Sequence, residues 1–64
     1  MRTAILGAGK MGVWFAKYCK SKGDTVVIAD RNHTKLEVLK TELAIEVADF
    51  PTAVKGADRV LICV

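Results

Sequence analysis

The 64-residue chain predicts an α/β fold: a doubly wound parallel sheet with strand order 3-2-1-4. Three features of the sequence lead there. Apolar, β-branched runs at 2–6, 25–29 and 59–64 have the continuous character of strands buried on both faces. Stretches of helical spacing follow the first two runs, and parallel strands need such crossovers. A glycine-rich turn, Gly7-Ala-Gly-Lys-Met-Gly12, stands where the first run meets the first helix.

Taken in order, Arg2 to Leu6 is the first strand, ended by Gly7. Lys10 to Lys22 is the first helix. Gly12, Phe15, Ala16 and Cys19 recur at i, i+3, i+4 and i+7, so they share the face that should lie on the sheet, with Lys10, Lys17 and Ser21 opposite. Gly23 is placed to cap its C-terminus, where Lys20 and Lys22 favour the negative dipole end. Thr25 to Ala29 is the second strand. Asn32 or Thr34 caps the second helix, and Thr34-x-x-Glu37 has the form of a capping box. Leu36, Leu39 and Leu43 mark the buried stripe of that helix, while Lys35 and Glu42 fall off it. Ile45 to Ala48 is a short third strand. Asp49 to Gly56 carries Pro51, which suits the first turn of a short helix. Arg59 to Val64 is the fourth strand. The two long helices should cover one face of the sheet and the short one the other.

Composition excludes several classes. The net charge is +3, but the lysines are scattered, and one Trp, one Tyr and two Phe do not alternate with them. Nucleic acid is therefore not expected as a partner. No apolar run approaches the ~20 residues of a membrane span, and the glycine turn interrupts the first run too early for a signal peptide. Cys19 and Cys63 lie in apolar patterns without C-x-x-C spacing or companion histidines. They read as free thiols of a reducing cytoplasm, with no metal.

The glycine turn carries the chemistry. Gly7, Gly9 and Gly12 have the spacing G-x-G-x-x-G, which suits a dinucleotide. Gly7 permits a tight turn, Gly9 lets a pyrophosphate approach the backbone, and Gly12 lets the helix press close to the sheet. The helix N-terminus then offers free N–H groups and a positive dipole end. Asp30 lies 18 positions after Gly12 and closes the second apolar run, where its carboxylate can accept from the adenosine ribose hydroxyls and disfavour a 2′-phosphate. NAD is then the expected cofactor. Arg31, which can stack on adenine or pair with a 2′-phosphate, keeps NADP open. The plainer reading of Asp30 is a cap for its own turn. Lys10 either helps hold the phosphates or is solvated, and Met11 in such a place is more often packing than ligand contact. His33, the only histidine, sits at a helix start without an acid–base partner, so no catalytic residue is assigned. Cys63 and Val64 end the fourth strand beside the crevice where such sheets bind nucleotides.

Gly7-Ala-Gly-Lys-Met-Gly12, Trp14-Phe15-Ala16, Ile28-Ala-Asp-Arg31 and Gly56-Ala-Asp58 leading into Val60-Leu-Ile-Cys-Val64 together resemble the cofactor-binding start of prephenate dehydrogenases. These belong to the 6-phosphogluconate-dehydrogenase-like Rossmann domains, with 3-hydroxyisobutyrate dehydrogenases and pyrroline-5-carboxylate reductases. The resemblance spans essentially the whole chain. It implies Gly7, Gly9, Lys10, Met11, Gly12, Asp30 and Arg31 as cofactor contacts. It also implies oxidation of prephenate or arogenate, by hydride transfer to nicotinamide with loss of carbon dioxide, in an enzyme whose catalytic histidine and helical substrate domain lie further along. Residues 1–64 are then expected to be part of an NAD(P)-binding domain, inactive alone. A nucleotide-sensing module and a purely structural fragment are the other readings. At about 100° per residue Trp14 points away from the sheet. It and the strand Arg59 to Val64 are the expected surfaces for a helical domain or a partner subunit.

Overall fold

The computed structural model describes residues 1–63, so the strand and cofactor readings at Val64 lie outside the described residues. The elements run β1 (Arg2–Leu6), α1 (Lys10–Ser21), β2 (Thr25–Ala29), α2 (His33–Leu43), β3 (Glu46–Val47), α3 (Phe50–Val54) and β4 (Arg59–Ile62). The four strands form one parallel sheet in the order β3-β2-β1-β4, as the sequence predicts. In register, Leu6 stands between Ala29 and Ile62, so β1, β2 and β4 finish together at one edge.

Alternation along the strands divides the apolar residues between two faces. Ile5, Val26 and Ile28 join Ala16 and Cys19 of α1 and Leu36 and Leu39 of α2 in the larger cluster. Ala4, Val27 and Ala29 meet Ala53 of α3 on the other face. Ile5 and Ile28 are fully buried, and burying such a side chain contributes roughly 1.5–3 kcal/mol. Small residues on the second face admit the single-turn α3, whereas the first face needs two long helices.

The element ends show where local chemistry decided. α1 stops at Ser21, one residue short of the expected Lys22, which is its cap. Gly23 adopts φ 87°, and the N–H groups of Gly23 and Asp24 donate to Lys20 and Cys19 carbonyls at 3.0 and 3.1 Å, closing the helix. α2 is capped by Asn32, whose Oδ1 accepts from the Lys35 N–H at 3.0 Å. Thr34 and Glu37 lie inside the helix, so the capping box suggested by Thr34-x-x-Glu37 does not form; the Leu36 N–H already bonds the Asn32 carbonyl. β3 is shorter than Ile45 to Ala48, because Ala44 in the left-handed region (φ 53°) turns the chain before Ile45 can pair. In α3 the Asp49 carboxylate accepts from the Thr52 N–H at 2.9 Å, with Pro51 in the first turn.

The N-terminal ends of the strands are fastened by charge. Arg2 pairs with Glu46 at 2.9 Å and gives its backbone N–H to Asp58 at 2.7 Å. Arg59 pairs with Asp24 at 2.9 Å and also donates to the Thr3 hydroxyl. Among the described residues, every ion pair lies at this end.

Candidate functional site

At the opposite edge the strands feed their turns. Gly7 adopts φ 115°, a conformation that L side chains rarely accept, and its N–H continues the ladder to the Ala29 carbonyl at 2.8 Å. Ala8 is buried and donates its N–H to Asp30 Oδ2 at 2.7 Å. Gly9 is the N-cap of α1, in ordinary extended geometry (φ −75°, ψ −170°), with no side chain capping the helix. The first bond inside α1 runs from Val13 N–H to the Gly9 carbonyl at 2.9 Å. The N–H groups of Lys10, Met11 and Gly12 therefore stand ahead of any intrahelical acceptor, and no acid lies in the first turn.

The three glycines serve different ends. A Cβ on Gly12 would stand 1.9 Å from the Gly7 carbonyl oxygen, an overlap with backbone that nothing can relieve. Gly7 is required by its φ. A Cβ on Gly9 would meet nothing within 4 Å, and its φ suits any residue. The space above Gly9 is open to solvent and to whatever binds there.

Asp30 follows β2 and uses both carboxylate oxygens. Oδ1 accepts from the Asn32 N–H at 2.9 Å, and Oδ2 takes the Ala8 N–H. The Asn32 N–H first, then the Ala8 N–H, hold its pKa below the ordinary carboxylate value, and the Lys35 charge adds to the effect. The turn-fastening role of Asp30 is thus real. Each oxygen keeps a second lone pair for a ligand hydroxyl. Asp30, Arg31, Gly7 and Phe50 line one cleft of about 410 Å³. A second cleft of about 410 Å³, on the α1 side, is lined by Ala8, Gly9, Lys10, Val13, Trp14, Lys17 and Lys35.

The sequence-predicted residues fall into groups. Gly7, Asp30 and Arg31 share the first cleft, Gly9 and Lys10 the second, and Gly12 is buried between helix and turn. Met11 is exposed in the first turn of α1 and lines neither cleft. Cys63 packs against the larger cluster and spends its N–H on the Leu6 carbonyl at 2.8 Å. Its side chain lines neither cleft. His33 is exposed at the first residue of α2. Trp14 is 56 % exposed, stacked on Tyr18 with ring centroids 5.5 Å apart and edge-on to Phe15 at 5.1 Å. Phe50 and Lys35 join the site without having been singled out in the sequence. The signal for Phe50 was its place after the third strand, on the edge where all the turns gather.

No helix of the described residues is long and apolar enough to cross a membrane. A parallel sheet ordered 3-2-1-4, with a G-x-G-x-x-G turn opening onto an uncapped helix, is the Rossmann-type domain of NAD(P)-binding oxidoreductases. The chain belongs to the family described as NADP oxidoreductase, coenzyme F420-dependent, which matches residues 2–64. Neither the curated proteins nor the solved structures give a match.

Proposed function

We propose that residues 1–64 bind the adenosine and pyrophosphate portion of a nicotinamide dinucleotide for an oxidoreductase. The observation that carries this is Gly9. It is the one glycine of the motif whose missing Cβ the protein itself does not use. A pyrophosphate resting on the N–H groups of Gly9, Lys10 and Met11 would use it. Gly7 and Gly12 shape the turn, the Lys10 charge adds attraction, and Asp30 and Arg31 face the adenosine ribose across the cleft with Phe50. Cys63, at the end of the fourth strand, adds backbone beside the crevice where the cofactor would lie.

Asp30 favours NAD, because a carboxylate accepts from both ribose hydroxyls and repels a 2′-phosphate. Calorimetric titration tests this: NAD should bind tighter than NADP, and Asp30→Ser should narrow the gap. NADP binding at least as tight as NAD in the wild type would refute the preference. A specific observation favours NADP as the second reading. Arg31 lines the Asp30 cleft and its guanidinium can pair with a 2′-phosphate there.

The substrate reading rests on Trp14-Phe15-Ala16 and its resemblance to prephenate dehydrogenases, making prephenate or arogenate the hydride donor. The alternatives are substrates of the 3-hydroxyisobutyrate or pyrroline-5-carboxylate type, or nucleotide sensing without turnover. The acid–base groups would come from a helical domain or partner subunit seated on Trp14 and β4. Trp14 fluorescence that stays red-shifted in the isolated chain and shifts blue when such a domain is supplied would support that seat; no shift would refute it.

A further inference from the structure

Ala8 gives Asp30 a task of its own. Ala8 is 1 % exposed, so its N–H has no water and must find an acceptor within the protein. The β1–β2 ladder supplies acceptors as far as Gly7, which bonds the Ala29 carbonyl. One residue on, the chain has turned away, and the acceptor is the Asp30 carboxylate at 2.7 Å. The other oxygen of that carboxylate holds the Asn32 N–H. A single side chain therefore ties the turn after β1 to the turn after β2. The residues that follow Ala8 carry the free N–H groups at the head of α1.

We propose that Asp30 is a positioning residue for the glycine turn: by accepting from Ala8 it holds the N–H groups of Gly9, Lys10 and Met11 in the arrangement that receives a pyrophosphate. This rests on the dinucleotide reading and adds a role separate from contact with the ribose. The two roles differ in sign. A carboxylate that only touches ribose can be removed with no loss of pyrophosphate affinity, or with a gain, because a negative charge near the anion is gone. A carboxylate that shapes the turn weakens pyrophosphate binding when removed, although repulsion is relieved. The neighbouring cations, Arg31 and Lys35, attract the anion in either case and leave the sign unchanged.

The test is calorimetry of the 64-residue chain with inorganic pyrophosphate and with ADP-ribose, alongside the amide resonances of Ala8, Gly9 and Lys10. Asp30→Ala is expected to bind pyrophosphate about tenfold more weakly, because the N–H groups of Gly9, Lys10 and Met11 must then be ordered at the moment of binding. Its Ala8, Gly9 and Lys10 resonances should move together. Asp30→Asn keeps an oxygen for Ala8 and should recover most of the affinity. Pyrophosphate binding unchanged or tighter in Asp30→Ala, or no recovery in Asp30→Asn, overturns the proposal. If Asp30→Ala does not fold, wild-type hydrogen exchange decides. Saturating pyrophosphate should slow exchange at Ala8, and an unchanged Ala8 rate overturns the proposal. A wild type that binds pyrophosphate but no dinucleotide refutes the dinucleotide reading and leaves the positioning role standing.

Discussion

The two ends of the sheet are built on different chemistry. At the N-terminal ends of the strands, side chains pair with side chains: Arg2 with Glu46, Arg59 with Asp24. At the C-terminal ends, Asp30 serves backbone donors, and the head of α1 is left without a cap although α2 and α3 have Asn32 and Asp49. An end that closes on itself contributes stability and has little left to offer a ligand. An end with unspent N–H groups is less well satisfied alone and ready for an anion. The division predicts that substitutions at the first end change stability and spare binding, while those at the second can do the reverse.

Gly12→Ala should break the pattern most severely, since Gly12 serves the fold at the binding end. Its Cβ would overlap the Gly7 carbonyl at 1.9 Å, and forcing a helix off a turn costs ~1–3 kcal/mol or more. In so small a domain that removes most of the stability, and circular dichroism should show a largely unfolded chain. A native spectrum with unchanged melting would contradict the geometry.

Arg59→Ala isolates the other end. It leaves Asp24, with a side chain only 14 % exposed, without its guanidinium and deprives Thr3 of a donor. A loss of about 1–2 kcal/mol is expected in urea unfolding, with dinucleotide affinity of the folded chain unchanged. An affinity loss without a stability loss would reverse the assignment of the two ends.

The β4 edge sharpens the comparison along the other axis of the sheet. Val60 and Ile62 are 39 % and 71 % exposed; they stand beside Ala4 and Leu6 on the α3 face of the sheet, where α3 leaves them uncovered. The outward edge of β4 has no neighbouring strand among the described residues. Such an edge pairs readily with another chain. Light scattering behind a sizing column should show self-association of the isolated chain at about 100 μM that Ile62→Lys reduces; a wild-type monomer would refute this.

Acid should loosen both ends by a smaller amount. The Asn32 and Ala8 N–H groups hold Asp30 below the ordinary carboxylate pKa, Arg2 does so for Glu46, and Thr52 for Asp49. A carboxylate with a lowered folded-state pKa contributes stability that is present above its unfolded pKa and lost as pH falls through the folded one. Urea midpoints should therefore be flat near neutrality and decline below the normal carboxylate range. Rising stability on acidification would contradict these contacts.

Much of this was legible in the sequence because it was periodic. The strands and the faces of both long helices followed from where Ile5, Ile28, Ala16, Cys19, Leu36 and Leu39 recur, and the strand order from the alternation of strand and helix around the glycine turn. The glycine turn was legible because Gly7 and Gly12 answer to backbone geometry that spacing encodes. What escaped depended on distances between elements. Asn32 and Thr34 are both good caps, and only the path out of β2 selects Asn32. Nothing in the spacing shows that Ala8 would be a buried donor in need of Asp30, or that Phe50 and Lys35 would reach the turn from other elements.

Gly9→Ala tests most directly whether the unspent end binds a dinucleotide over Gly9. The substitution meets no atom within 4 Å and needs no unusual φ, so melting should fall by little more than the few tenths to ~1 kcal/mol of an altered N-cap. NAD titrated calorimetrically into the folded variant should bind at least about tenfold more weakly than to wild type, because the Cβ occupies the space of the pyrophosphate. Equal affinity for NAD in Gly9→Ala and wild type would contradict the account.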